Sequence, residues 1–198
     1  IHYGYKETDI LGGKDPYSGS KASAELLVKS YISSFFPKNN KQKIRIATAR
    51  AGNVIGGGDW AKYRIIPDCV KHWSRGRKAK LRNPNATRPW QHVLEVLGGY
   101  LCLAINLKFN KNLHGESFNF GPGLSKEYSV LELVKEMSSH WNNVSWKIML
   151  KLEKKFYESE LLKLNCNKAK KILKWKNILK FHETVEMVAS WYRSYYEN

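Results

Sequence analysis

Residues 15–50 read DPYSGSKASAELLVKSYISSFFPKNNKQKIRIATAR, and the order of two patterns within them decides the fold. From Tyr17 to Phe36, Ala24, Leu27, Val28, Tyr31 and Ile32 recur at the period of an amphipathic helix, and Pro37 marks its end. The apolar run from Lys43 to Arg50 then reads as a buried strand. A helix leading directly into a buried strand predicts an α/β fold with a parallel sheet.

The pattern continues outward from this unit. A loop at Ala51–Asp59 contains Gly56, Gly57 and Gly58. No Gly-Lys-Ser/Thr follows, so this is not a phosphate-cradling loop; the glycines let the backbone turn sharply or approach a ligand closely. A short helix is expected from Ile65, a strand near Ala79–Arg82, a polar loop at Asn83–Thr87 and a helix at Val93–Leu107. A strand follows at Ser117–Phe120. An N-cap at Ser129 opens a helix with Val130, Leu133, Val134, Met137 and Trp141 on one face. Val144–Leu150 reads as a strand. A closing helix from Phe181 to Tyr196 turns Val185, Val188, Ala189 and Tyr192 inward.

Within the opening stretch, Tyr17 stands four residues before Lys21, one helical turn away on the same face. A lysine ammonium beside a phenol stabilises the phenolate, so such a pair can serve as a general base. The spacing alone is weak evidence, because a lysine-rich chain with eleven tyrosines produces about one such match by chance.

Composition narrows the class. With 198 residues and 42% hydrophobic content the chain can bury a core. Its net charge of +17 favours anionic ligands. The basic residues are spread along the chain without a basic arm, which argues against a nucleic-acid partner. Cys69, Cys102 and Cys166 form no C-x-x-C pair, so neither a metal site nor a disulfide framework is expected, and a reducing cytoplasm fits. The longest apolar run, Leu97–Leu107, contains Gly98, Gly99 and Asn106 and is too short to span a membrane.

Taken together, Tyr17-x-x-x-Lys21, the block RAGNVIGGGDW at 50–60, Arg64-Ile-Ile-Pro67 and the block RNPNATRPWQHV at 82–93 resemble the extended short-chain dehydrogenase/reductases. More narrowly they are similar to the 4,6-dehydratases that act on CDP-glucose. The resemblance covers essentially the whole chain. It implies the C-terminal part of a Rossmann-type parallel sheet plus a smaller α/β substrate-binding domain. Residues 1–58 would belong to the NAD-binding domain, with later segments interleaved, and 59–198 mainly to the nucleotide-sugar domain.

The resemblance also implies the chemistry. Tyr17 would take the proton from the sugar 4-hydroxyl as hydride passes to NAD, and Lys21 would hold the nicotinamide ribose. The 4-ketone acidifies the C5 proton, water leaves from C5 and C6, and the hydride returns to C6. Asn53 would bind the sugar nucleotide near its diphosphate. Arg88 would hold the diphosphate, since a guanidinium grips phosphate oxygens bidentately. Arg64, Arg82, Asn85 and Glu158 are further candidates near the nucleotide. A homo-oligomer is expected, with Leu27, Tyr31 and Phe35 as a contact face.

The family's glycine-rich turn and its second acid/base pair lie upstream of the Tyr-x-x-x-Lys motif, and neither is found here. The chain therefore reads as starting inside its first domain, and alone it is expected to bind NAD poorly and not to complete the elimination. Glu7, Asp9 and Asp15 are explained by loop and helix-start roles. The sequence leaves open a nucleotide-sugar 4-epimerase, a dehydratase of another nucleotide sugar, a catalytically inactive homologue and a basic nucleic-acid-binding protein.

Overall fold

The computed structural model describes residues 3–37, 44–122, 127–149 and 163–197. Helix α1 spans Pro16–Phe35, and strands β1 (Thr48–Ala51) and β2 (Val54–Ile55) follow it. Next come α2 (Ile65–Trp73), β3 (Ala79–Leu81), β4 (Thr87–Arg88), β5 (Gln91–His92) and α3 (Val93–Phe109). The rest comprises β6 (Ser117–Phe120), β7 (Tyr128–Ser129), α4 (Val130–Ser139), β8 (Trp146–Ile148), a π-helical turn at Ala169–Leu173 and α5 (Phe181–Glu197). The strands join in pairs: β1 with β6, β2 with β5 and β3 with β8 are parallel, while β4 with β7 is antiparallel.

Two apolar clusters hold these elements. One gathers Ile66, Val70 and Trp73 of α2, Leu81 of β3, Leu133, Val134 and Met137 of α4, and Val185, Val188 and Tyr192 of α5. The other gathers Leu103, Leu113, Phe118, Phe120, Cys166, Leu173 and Trp175 around β6. The stripes predicted on α4 and α5 thus face inward. A capping box starts α4: the Ser129 hydroxyl accepts from the Glu132 amide, and the Glu132 carboxylate accepts from the Ser129 amide.

Three expectations need correction. The predicted stripe on α1 is only partly covered: no α1 residue is fully buried, Val28 and Ile32 are half-buried, and Leu27 and Tyr31 are 59% and 52% exposed. The strand expected across 43–50 is confined to Thr48–Ala51; it is half-buried and, among the described residues, pairs with β6 alone. Lys43 and Leu150 lie outside the described residues. The polar loop at 83–87 ends in a short pairing, with Thr87 opposite Ser129.

α3 is apolar around its circumference, and two adjacent glycines show how unevenly it packs. A Cβ on Gly99 would overlap the Phe120 ring, whereas one on Gly98 would meet nothing. At its N-terminus the Nδ1 of buried His92 accepts from the Leu94 amide at 3.2 Å. Burial lowers the His92 pKa, with Glu95 opposing in part. The cap needs the neutral ring, since a protonated Nδ1 cannot accept.

Gly98→Ala is expected to stabilise the protein by about 0.5–1 kcal/mol through helix propensity. Gly99→Ala should destabilise it by about 1–3 kcal/mol through overpacking; paired urea melts decide both signs. For His92, the folded pKa lies below the unfolded value of about 6.5. Its contribution is therefore present above that pH and is lost as pH falls through the folded pKa. His92→Asn keeps a capping acceptor without a titrating ring, so the loss of urea midpoint between about pH 7.5 and about pH 5.5 should shrink in that variant.

Candidate active site

The strand ends and helix starts converge on one cleft of about 760 Å³. The N-terminal turn of α1 contributes Asp15, Tyr17 and Ser18, and the turn after β1 contributes Gly52 and Asn53. The approach to α2 supplies Asp59, Tyr63 and Arg64. Lys80 of β3, Arg82 and Asn83 just after it, Arg88 of β4 and Trp90 before β5 also line the cleft. Asn53 lies two residues past the end of β1 and Arg82 directly past β3, the position at which open α/β sheets bind ligands.

Tyr17 stands at this cleft because α1 begins immediately before it. The Asp15 carboxylate accepts from the Ser18 amide at 3.0 Å and the Ser18 hydroxyl at 2.7 Å, and Pro16 occupies the first helical position. The Ser18 hydroxyl, with the Ser18 amide, holds the Asp15 carboxyl below the usual range. Tyr17 is 71% exposed. The Lys21 ammonium lies 5.6 Å from the centroid of its ring, so the helical spacing places the two groups beside each other.

On the opposite wall, Arg88 is buried, and its Nη1 donates to the Thr87 carbonyl at 2.8 Å. Trp90 fixes the same strip by donating from its indole to the Tyr128 carbonyl at 2.9 Å. Arg64 is exposed and pairs with the Asp59 carboxylate at 3.0 Å. The Arg82 guanidinium sits 5.7 Å from the Tyr63 ring centroid and donates to the Tyr63 carbonyl at 3.4 Å. Tyr63 has a positive φ of 66°, a conformation costly for a bulky residue.

The floor of the cleft is tied to α5. The Tyr192 phenol, pushed up to about 12 mainly by burial, donates to the Asp59 carbonyl at 2.7 Å. Trp60 packs among Trp191, Tyr192, Tyr195 and Tyr196. The glycines of the 56–58 loop are accordingly approached by the chain's own side chains: a Cβ on Gly57 would overlap the Trp191 ring.

Of the residues predicted from sequence, Tyr17, Asn53, Arg64, Arg82 and Arg88 line one cleft. Lys21 stands beside Tyr17 without lining it. Asn85 is not in the wall; it is exposed in the turn between β3 and β4, and its neighbour Asn83 lines the cleft. Glu158 lies outside the described residues. Tyr63, Asp59 and Asn83 were missed, although each is adjacent to, or within five residues of, a predicted arginine. Of the upstream carboxylates, Asp9 accepts from the Lys6 amide and Glu7 from the Asn119 amide. Among the described residues, no group of three or more His, Cys, Asp or Glu could hold a metal ion. Among them, too, no helix is long and apolar enough to cross a membrane.

The chain is 40% identical over 196 residues to the CDP-glucose 4,6-dehydratase of Salmonella typhimurium, a match covering 98% of the chain and 54% of that protein. It is 28% identical over 138 residues to the dTDP-D-glucose 4,6-dehydratase of Dictyostelium discoideum, covering 69% of the chain and 28% of that protein. The chain thus spans about half the length, or less, of these curated relatives.

Among solved structures, it superposes on dTDP-glucose 4,6-dehydratase from Bacillus anthracis, in complex with NAD, with a TM-score of 0.76 and 21% identity. That match covers 98% of the chain and 57% of the other. UDP-glucose-4-epimerase from Stenotrophomonas maltophila, with bound NAD, gives a TM-score of 0.78 at 17% identity, covering 98% and 61%. These likenesses show an α/β fold of the Rossmann type. The family described as GDP-mannose 4,6 dehydratase matches residues 2–188, and the chain belongs to that family.

Proposed function

We propose that this protein carries out the NAD-dependent dehydration of CDP-glucose to its 4-keto-6-deoxy product. The observation that carries the reading is the convergence of Tyr17, Asn53, Arg64, Arg82 and Arg88 on one cleft. The 40% identity to a CDP-glucose 4,6-dehydratase supports the choice of nucleotide. The cluster around β6 would belong to the cofactor domain and the cluster around α2, α4 and α5 to the nucleotide-sugar domain.

The phenol of Tyr17 and the ammonium of Lys21, one turn apart and facing solvent, are donors of the kind that hold ribose and sugar hydroxyls. They fit the nicotinamide end of the cofactor. When bound, NAD supplies the hydride acceptor and later returns the hydride. Tyr17 takes the proton from the sugar 4-hydroxyl, and Lys21 favours the phenolate by its charge. Arg88, inside the wall, holds the diphosphate so that the sugar reaches Tyr17, with Asn53 between them. Arg64 and Arg82 face the nucleotide. The uncovered Leu27, Tyr31 and Phe35 are the face through which α1 would meet a second copy.

Mass spectrometry of CDP-glucose incubated with NAD and the protein expressed from its complete reading frame should show loss of one water from the sugar nucleotide. Tyr17→Phe should abolish that loss while leaving CDP affinity nearly unchanged. An unchanged mass with inverted configuration at C4 would instead make the protein an epimerase. Sedimentation at micromolar concentration should give a dimer or larger species, and Leu27→Glu with Tyr31→Glu should shift it to monomer. A monomeric unsubstituted protein would refute the contact.

A further inference from the structure

No residue of α1 is fully buried, although Val28 and Ile32 are half-buried, and polar contacts add to its seating. At its C-terminal end His114 Nδ1 accepts from the Ile46 amide at 3.0 Å, which leaves Nε2–H to donate to the Phe36 carbonyl at 2.6 Å. In its middle, Arg50 of β1 grips Glu25 with both arms of its fork. Nε donates to Oε1 at 2.6 Å and Nη2 to Oε2 at 2.5 Å. The side chains are only 19% and 17% exposed, and the remaining arm, Nη1, donates to the Glu7 carbonyl at 3.4 Å.

The position of Glu25 gives this contact a chemical meaning. It is four residues beyond Lys21, one helical turn away on the same flank. A carboxylate at that spacing pairs with a lysine ammonium when nothing else competes for it. Here both of its oxygens are taken by a guanidinium whose planar fork matches a carboxylate better than an ammonium does. The Lys21 ammonium remains 5.6 Å from the Tyr17 ring centroid, one turn in the other direction.

We propose that Arg50 is a positioning residue for the Tyr17–Lys21 pair: by occupying both Glu25 oxygens, it keeps that carboxylate from drawing the Lys21 ammonium away from Tyr17. This rests on the reading of Tyr17 and Lys21 as the catalytic pair. A purely structural tie behaves differently, because losing either partner would strand the other's half-buried charge and be about equally harmful. With Arg50 as a guard, only its own loss is harmful, and deleting the Glu25 charge repairs it.

The test compares the unsubstituted protein with Arg50→Gln, Glu25→Gln and the double variant. The rate at which acetic anhydride labels Lys21, relative to the other lysines, is read by mass spectrometry and needs no substrate. Labelling of Lys21 should slow in Arg50→Gln, where Glu25 captures it, and return to the original rate in the double variant. In turnover, Arg50→Gln should lose about tenfold or more in kcat with KM nearly unchanged, and the double variant should recover it. Unchanged or faster labelling in Arg50→Gln, or slow labelling that persists in the double variant, overturns the proposal.

Glu25→Gln decides the matter if Arg50→Gln does not fold. It should keep kcat within about twofold, and a loss of kcat there at constant KM also overturns the proposal. Failure of the unsubstituted protein to dehydrate CDP-glucose would sink the dehydratase reading, while the labelling result still decides the role of Arg50.

Discussion

The segment from Gly52 to Gly57 has no room for side chains at three of its positions, and the site depends on that. A Cβ would come within 2.7 Å of Pro89 at Gly52 and within 2.8 Å of Val93 at Gly56, and at Gly57 it would overlap the Trp191 ring. This segment leaves β1 in one apolar cluster and leads to α2 in the other. Its closeness to both β5 and α5 therefore sets the two clusters against each other. The cleft lies beside this segment, with Asn53 and Asp59 on its wall.

Contacts distant in sequence hold this wall in place. Tyr192, near the chain's end, donates to Asp59, and Trp60 is packed by the rings of α5. Burial keeps the Tyr192 phenol neutral and able to donate. α1 is fixed in the opposite manner, by charged and polar ties to Arg50 and His114 without any buried side chain. One wall of the cleft is thus set by packing and the other by directed hydrogen bonds. Hydrogen bonds of that kind set orientation more sharply than apolar contact, which is non-directional.

Much of the site was legible because it is local. Tyr17 and Lys21 share a helix face by spacing alone, and Ser129 and the α4 stripe follow from capping and period. Arg88 and Asn53 came from unusual blocks of sequence and were found together in the cleft. Asn85 was chosen two residues from Asn83, which lines the cleft, since a loop's side chains have no period to read. Tyr63 gave no signal, because its left-handed backbone is imposed by surroundings that include Arg82.

By itself the sequence determined the order of the helices and of the longer strands, the inward faces of α4 and α5 and the pairing of Tyr17 with Lys21. All of these depend on residues within a turn or two of one another. Only the tertiary structure decided that the α1 stripe stays largely exposed, that the glycines at 56–57 accommodate Val93 and Trp191 and that Arg50 holds Glu25. An apolar period states that a face can be buried, not what will cover it. A charged residue likewise carries no mark of its partner until folding brings a strand and a helix, 25 residues apart in this case, within hydrogen-bond reach.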